Sequence, residues 1–219
     1  MESLTTQLPK KFPRHVDFLT KWLKFTKYNS FIEGVNIIPF KCPLDKKYNE
    51  YIDEVEYFQF EYVYDYSLSI KKPITDIIDL TFTDKYYNPK QGAFVFLGIT
   101  HHKFMIPGKN IPKPAILNEI LDTMDELIKN DKVIGIHCTH GINRTGYIVC
   151  CYLVKRLGWE PANALAAFKN ARGFPLEHQD YIDAVLALNN PEKSESESNG
   201  SPYRGKFYNT RKKQEKNKE

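Results

Sequence analysis

Residues His137 to Gly146 read HCTHGINRTG: a cysteine, then an arginine six positions on, a threonine directly after it, and glycines at 141 and 146. Apolar Val133 to Ile136 with His137 precede the run as a buried strand, and Tyr147 to Leu157 follow it as an apolar helix, so the run is a strand-to-helix loop. Backbone N–H groups converge at the start of a helix and bind anions there without a metal. Gly141 and Gly146 let the backbone curl close to a ligand, and Arg144 can fork two charge-assisted hydrogen bonds onto a phosphoryl group. A thiol of pKa about 8.5 falls to roughly 3.5–7.5 in such a field, which makes Cys138 the candidate nucleophile. Thr139, His140, Gly141, Ile142 and Asn143 complete the candidate phosphate-binding loop with Arg144.

The rest of the chain bounds what can carry this loop. Of 219 residues, Met1 to Pro13 are polar and expected to be loose. Residues 14–190 are enough for one domain with a full core. Residues 191–219 run through SESES to Arg204, Lys206, Arg211, Lys212, Lys213, Lys216 and Lys218, and are expected to be a disordered basic tail. A net charge of +4 is compatible with an anionic substrate and too small to declare nucleic-acid binding. The four cysteines show no CxxC spacing and no secretory segment opens the chain, so a reducing compartment is expected, the nucleus or otherwise the cytoplasm. No run of 18 apolar residues exists, so no membrane span is expected.

Strands are expected at Val35 to Phe40, Ile77 to Leu80, Ala93 to Ile99 and Val133 to His137, with His101 and His102 in a turn that is not by itself a metal site. Helices are expected over Ile116 to Ile128, over Tyr147 to Leu157 with Gly158 as its stop, from Pro161 to near Gly173, and over Tyr181 to Leu188. Between Phe58 and Ile70 the apolar residues alternate with period two, which argues for a strand.

The HCTHGINRTG wording, together with IPFKCPL at 38–44, IIDLTFTDKYY at 77–87, KFMIPG at 103–108 and ARGFPLEHQDY at 171–181, resembles one branch of the cysteine-dependent phosphatases. That branch holds the RNA 5′-triphosphatases of metazoan capping enzymes, the baculovirus RNA phosphatase and its cellular relatives. The resemblance spans roughly residues 14 to 188. It implies an α/β fold of the dual-specificity type, a short central mixed sheet flanked by helices, and a helix at 58–70 instead of a strand. It also implies a phosphocysteine on Cys138, stabilisation by Arg144, no metal or organic cofactor, and RNA 5′ ends as substrate, with RNA-processing proteins as expected partners. His137 would orient the loop, and Thr145 would hydrogen-bond the sulfur, capping of the helix being the alternative. His140 would meet substrate or simply be an exposed loop histidine.

Protein-directed members of the superfamily carry an aspartate on a loop well before the cysteine. The corresponding stretch here, Ile106 to Pro114, holds Lys109 and Lys113 and no acid. A tyrosine leaving group has pKa about 10 and needs a proton; a phosphate leaving from a polyphosphate chain, with a last pKa near 6, leaves as an anion. The reading is therefore an RNA 5′-phosphatase acting on triphosphate or diphosphate ends. A dual-specificity protein phosphatase and a phosphate-binding module without turnover remain the rivals. Asp79 is the remaining carboxylate for a general acid, against a turn-holding role around Thr81 and Thr83; Asp84 is a weaker candidate. His178 stands where the branch carries an arginine for a second phosphate, and Arg172 could compensate unless it forms a surface ion pair. No KxDG nucleotidyl-transfer motif is present, so phosphate removal without cap addition is expected.

Overall fold

The computed structural model describes residues 12–189; the expectations for the loose N-terminal segment and the basic tail fall almost wholly outside them. Its strands are β1 (Ile37–Lys41), β2 (Asp76–Asp79), β3 (Thr100–Lys103) and β4 (Ile134–Cys138). Its helices are α1 (Leu19–Trp22), α2 (Phe60–Ser69), α3 (Ala93–Phe96), α4 (Pro114–Lys129), α5 (Asn143–Lys155), α6 (Pro161–Arg172) and α7 (Gln179–Leu186). The sheet order is β1-β4-β2-β3, with every neighbouring pair parallel. The antiparallel share expected of a mixed sheet is reduced to a single bridge between Tyr28 and Phe40. In a parallel sheet the strands' carboxyl ends open a common crevice, and β4 delivers Cys138 there from a central position.

Burial explains why these segments are what they are. Strands β1, β2 and β4 are buried along their whole length, as strands covered on both faces must be. Helix α5 buries every residue from Thr145 to Val154, and Gly158 turns the chain with φ 71°. Helix α6 opens on Pro161 and closes on Gly173 in the left-handed region.

Two segments depart from their hydrophobic pattern. Within Phe58 to Ile70 the chain forms helix α2, Phe60–Ser69, which buries Phe60, Val63 and Ser67 on one face and leaves Tyr62 and Leu68 exposed, so the period of two does not mark a sheet face. The apolar run expected as a strand at Ala93 to Ile99 begins with the short helix α3, and the strand follows as THHK. β3 is an edge strand whose side chains pair with charges instead of filling the core. His101 faces Tyr87 and Asp79, while His102 meets Asp76 at 2.8 Å on the other face.

A buried lysine ties the N-terminal segment to the sheet. Lys41, fully enclosed at the end of β1, donates Nζ to the carbonyls of Trp22 at 3.3 Å and Phe25 at 2.9 Å. Its ammonium also lies 3.3 Å from the centre of the Trp22 ring. Burial pushes its amine down to about 7 against the opposing pull of Glu56. Lys41 pairs in register with Cys138, so the segment it anchors lies beside the cradle.

Candidate active site

The loop from Cys138 to Arg144 leaves the end of β4 and runs into the first turn of α5, which begins at Asn143, earlier than the apolar pattern indicated. Gly141 has φ 67°, and a Cβ there would fall on the Phe40 carbonyl. At Gly146 an added Cβ would meet Leu176 Cδ1 at 2.5 Å and Phe168 Cε1 at 2.8 Å, so this glycine lets α5 seat against its neighbours.

Cys138 is buried, with its side chain at the mouth of this helix start. Burial pushes the thiol up. The Arg144 guanidinium, the hydroxyl and N–H of Thr145 and the N–H of Gly141 outweigh it, and the net pKa is lowered. The Thr145 hydroxyl is buried beside the thiol and helps to lower its pKa.

Arg144 is held from three sides. Nη1 donates to the carbonyls of Leu80 at 2.9 Å and Ile106 at 2.6 Å, and Nη2 to Thr139 Oγ1 at 3.2 Å. A guanidinium has five N–H groups, so Nε and the second Nη2 hydrogen are left as an adjacent pair for a ligand.

The remaining loop residues divide by where they point. Asn143 turns its side chain away: Oδ1 accepts from the N–H groups of Glu177 and His178, each at 2.9 Å, and so fastens the start of α7. Its Oδ1 is thereby engaged within the protein. Ile142 is fully buried and Thr139 nearly so. His140 is partly buried against Phe25, its Nε2 enclosed without a partner. Burial pushes its pKa down to about 4, so it is neutral at pH 7 and is no exposed loop histidine.

Beneath the cradle lies a network centred on Asp79. Its carboxylate accepts from Thr81 N–H at 2.8 Å, Tyr87 Oη at 3.2 Å and Lys103 Nζ at 2.8 Å. Burial alone would raise its pKa; its histidine neighbours and Lys103 hold it well below the usual range. His137 is fully buried, with Nδ1 3.2 Å from the Cys138 carbonyl and Nε2 2.8 Å from Tyr87 Oη. A carbonyl only accepts, so Nδ1 carries the proton, and Nε2 and Asp79 Oδ2 share the single hydroxyl proton of Tyr87. Burial lowers the His137 pKa to about 4 despite Asp79. Both nitrogens are engaged and the ring is neutral, an arrangement that suits holding the Cys138 backbone and not carrying a proton. Asp84 is three-quarters exposed and bridges to Lys103 at 3.6 Å.

Arg172 is neither a surface ion pair nor a phosphate ligand. It is fully buried, with Nε donating to Gly141 O at 3.1 Å and Nη2 to His140 O at 3.2 Å. The same guanidinium reaches Thr26 O at 2.8 Å and Thr26 Oγ1 at 3.1 Å. It thereby holds two carbonyls of the loop on the side away from the Gly141 N–H that faces the Cys138 thiol. Cys42, Cys150 and Cys151 are buried and their thiols raised by burial, so they stay protonated. Among the described residues no group of three or more His, Cys, Asp and Glu side chains is placed to hold a metal ion, and no helix is long and apolar enough to cross a membrane.

The two neutral histidines make a prediction about acid. Each has its pKa lowered from 6.5 to about 4, so the unfolded chain binds more protons between those values. Stability is therefore present above pH 6.5 and is lost as pH falls toward 4, by roughly 2–3 kcal/mol for His137. Urea midpoints at pH 7 and pH 4.5 read this directly. A flat midpoint would mean that the histidines are charged in the fold.

The dual specificity phosphatase catalytic domain matches residues 57–190. A tyrosine-protein phosphatase of Autographa californica nuclear polyhedrosis virus is 36% identical over 172 residues, covering 77% of this chain and 99% of that protein. The RNA/RNP complex-1-interacting phosphatase of Bos taurus is 30% identical over 200 residues, 90% of this chain and 58% of that protein. In fold, the active form of the phosphatase Tk-PTP superposes with a TM-score of 0.53 at 18% identity, over 74% of this chain and 97% of that one.

Proposed function

The chain belongs to the dual specificity phosphatase family, and from that premise we propose that it is an RNA 5′-phosphatase releasing terminal phosphate from triphosphate and diphosphate ends. Cys138 attacks the terminal phosphorus, an S–P bond forms as the phosphoanhydride bond breaks, and the RNA end shortened by one phosphate leaves as an anion. Arg144 and the loop amides hold the equatorial oxygens, and water then cleaves the phosphocysteine. Thr145 donates to the sulfur as it becomes the leaving group in the second step.

One observation carries the choice of substrate: Asp79, the carboxylate at the end of β2, is buried, fully hydrogen-bonded and held ionised, so it has no proton to give. The loop from Ile106 to Pro114 supplies lysines and no acid. A site so equipped suits a leaving group that departs without protonation, which a phosphoanhydride provides and a phenol does not. The RNA/RNP complex-1-interacting name of the bovine relative agrees with this reading.

The viral relative's name, tyrosine-protein phosphatase, favours the second reading, a dual-specificity protein phosphatase. Phosphate release from a triphosphorylated oligoribonucleotide and from a phosphotyrosine peptide, both in excess chelator, separates the two. The expected result is a kcat/KM at least on the order of tenfold higher on RNA. Faster turnover of the peptide, or complete dependence on an added divalent ion, overturns the proposal.

A further inference from the structure

We propose that Phe82, with Met105 on the neighbouring chain exit, is the platform on which the 5′-terminal base of the substrate stacks; this inference rests on the RNA reading above. Single exposed apolar side chains are ordinary on protein surfaces. What sets Phe82 apart is how its backbone is fixed and where it stands.

The ring is 54% exposed. On one side of it Thr81 gives its N–H to Asp79 Oδ1 at 2.8 Å and its hydroxyl oxygen to Lys103 Nζ at 2.6 Å. On the other side the carbonyl of Thr83 accepts from the same ammonium at 2.8 Å. Thr81 Oγ1 also closes the turn onto the Thr83 carbonyl at 2.9 Å. A backbone tied down at both neighbours holds the aromatic in water at a set position. Fixed exposure of a large ring gains nothing for folding and reduces the entropy lost when a flat ligand stacks on it.

Its place is the rim of the phosphate cradle. Strands β2 and β3 run parallel with Asp79 opposite Lys103, so the chains beyond their ends emerge side by side. These two exits supply the Leu80 and Ile106 carbonyls that grip Arg144. Phe82 lies two residues past the first carbonyl, and Met105, 39% exposed, immediately before the second. Each exit that grips Arg144 thus carries an exposed apolar side chain within two residues of its carbonyl, and exposed Lys109 follows on the second exit. A substrate with a phosphate chain at one end and a flat heterocycle at the other matches that order. Every base has a π-face, so the platform accepts any first nucleotide.

The test compares triphosphorylated oligoribonucleotide with inorganic tripolyphosphate, which has the anhydride and no base. For Phe82→Ala the ratio of the two KM values, RNA over tripolyphosphate, is expected to rise about tenfold, with kcat on RNA retained and Phe82→Tyr restoring the wild-type ratio. An unchanged ratio, whether both KM values rise together or neither moves, overturns the platform while leaving the RNA reading in place. A wild-type enzyme that prefers phosphotyrosine peptide overturns the RNA reading, and loss confined to that peptide in Phe82→Ala would assign the ring to a phenol instead of a base.

Discussion

Cys138→Ser is expected to lower phosphate release by at least on the order of 10³-fold while the cradle still binds the triphosphate end. The lowered pKa at this position belongs to a thiol beside Arg144, the Thr145 hydroxyl and two backbone N–H groups. A serine hydroxyl starts far higher and the same field cannot ionise it, so the nucleophile is lost while the donors remain. Single-turnover release from triphosphorylated RNA measures the chemistry, and equilibrium binding of the same RNA measures the cradle. More than about a tenth of wild-type turnover in the serine variant would place the nucleophile elsewhere. Arg144→Lys should come close to the same loss. One ammonium cannot reach Leu80, Ile106 and Thr139 and still offer two parallel N–H groups to a phosphate.

The cradle is legible in sequence because its chemistry is contiguous. A cysteine, two glycines and an arginine at fixed spacing must share one loop, and the helix that follows is apolar enough to announce itself. What the pattern hides is direction. Asn143 sits inside the motif, yet its side chain serves residues 34 and 35 positions later. Arg172 looks like a helix-end cation beside Gly173, and its partners lie 31 to 146 positions away in sequence. Lys41 sits among apolar neighbours in β1, and only the fold brings Trp22 and Phe25 carbonyls to it. The apolar run before the edge strand β3 reads as a strand and forms none: helix α3 buries Phe94 and leaves Val95 and Phe96 exposed, while THHK takes the sheet hydrogen bonds.

Asp79 shows the same limit in a form that bears on mechanism. A lone aspartate before a phosphatase loop admits two roles in sequence, proton donor or turn anchor. The structure surrounds it with Thr81, Tyr87 and Lys103 and leaves it ionised. Its contacts run from β2 through Tyr87 to His137, whose Nδ1 meets the Cys138 carbonyl on β4.

Arg172→Ala is expected to be the most damaging change outside the reacting groups. The substitution strips donors from the carbonyls of Thr26, His140 and Gly141 in a place water does not reach. Each such orphan costs about 1–3 kcal/mol, and together with the lost packing a loss of about 3–5 kcal/mol follows. The cradle suffers with the fold, because the His140 and Gly141 carbonyls then lose the donors that hold them. Arg172→Lys separates the two effects: an ammonium can satisfy part of the set, so the protein folds, but the loop relaxes and the Cys138 pKa rises toward that of a free thiol. Urea unfolding reports the first effect, and the pH dependence of Cys138 alkylation by iodoacetamide in folded protein reports the second. An alkylation profile in Arg172→Lys that overlays the wild type would show that the loop keeps its shape unaided, and Arg172 would then be a brace for the N-terminal segment alone.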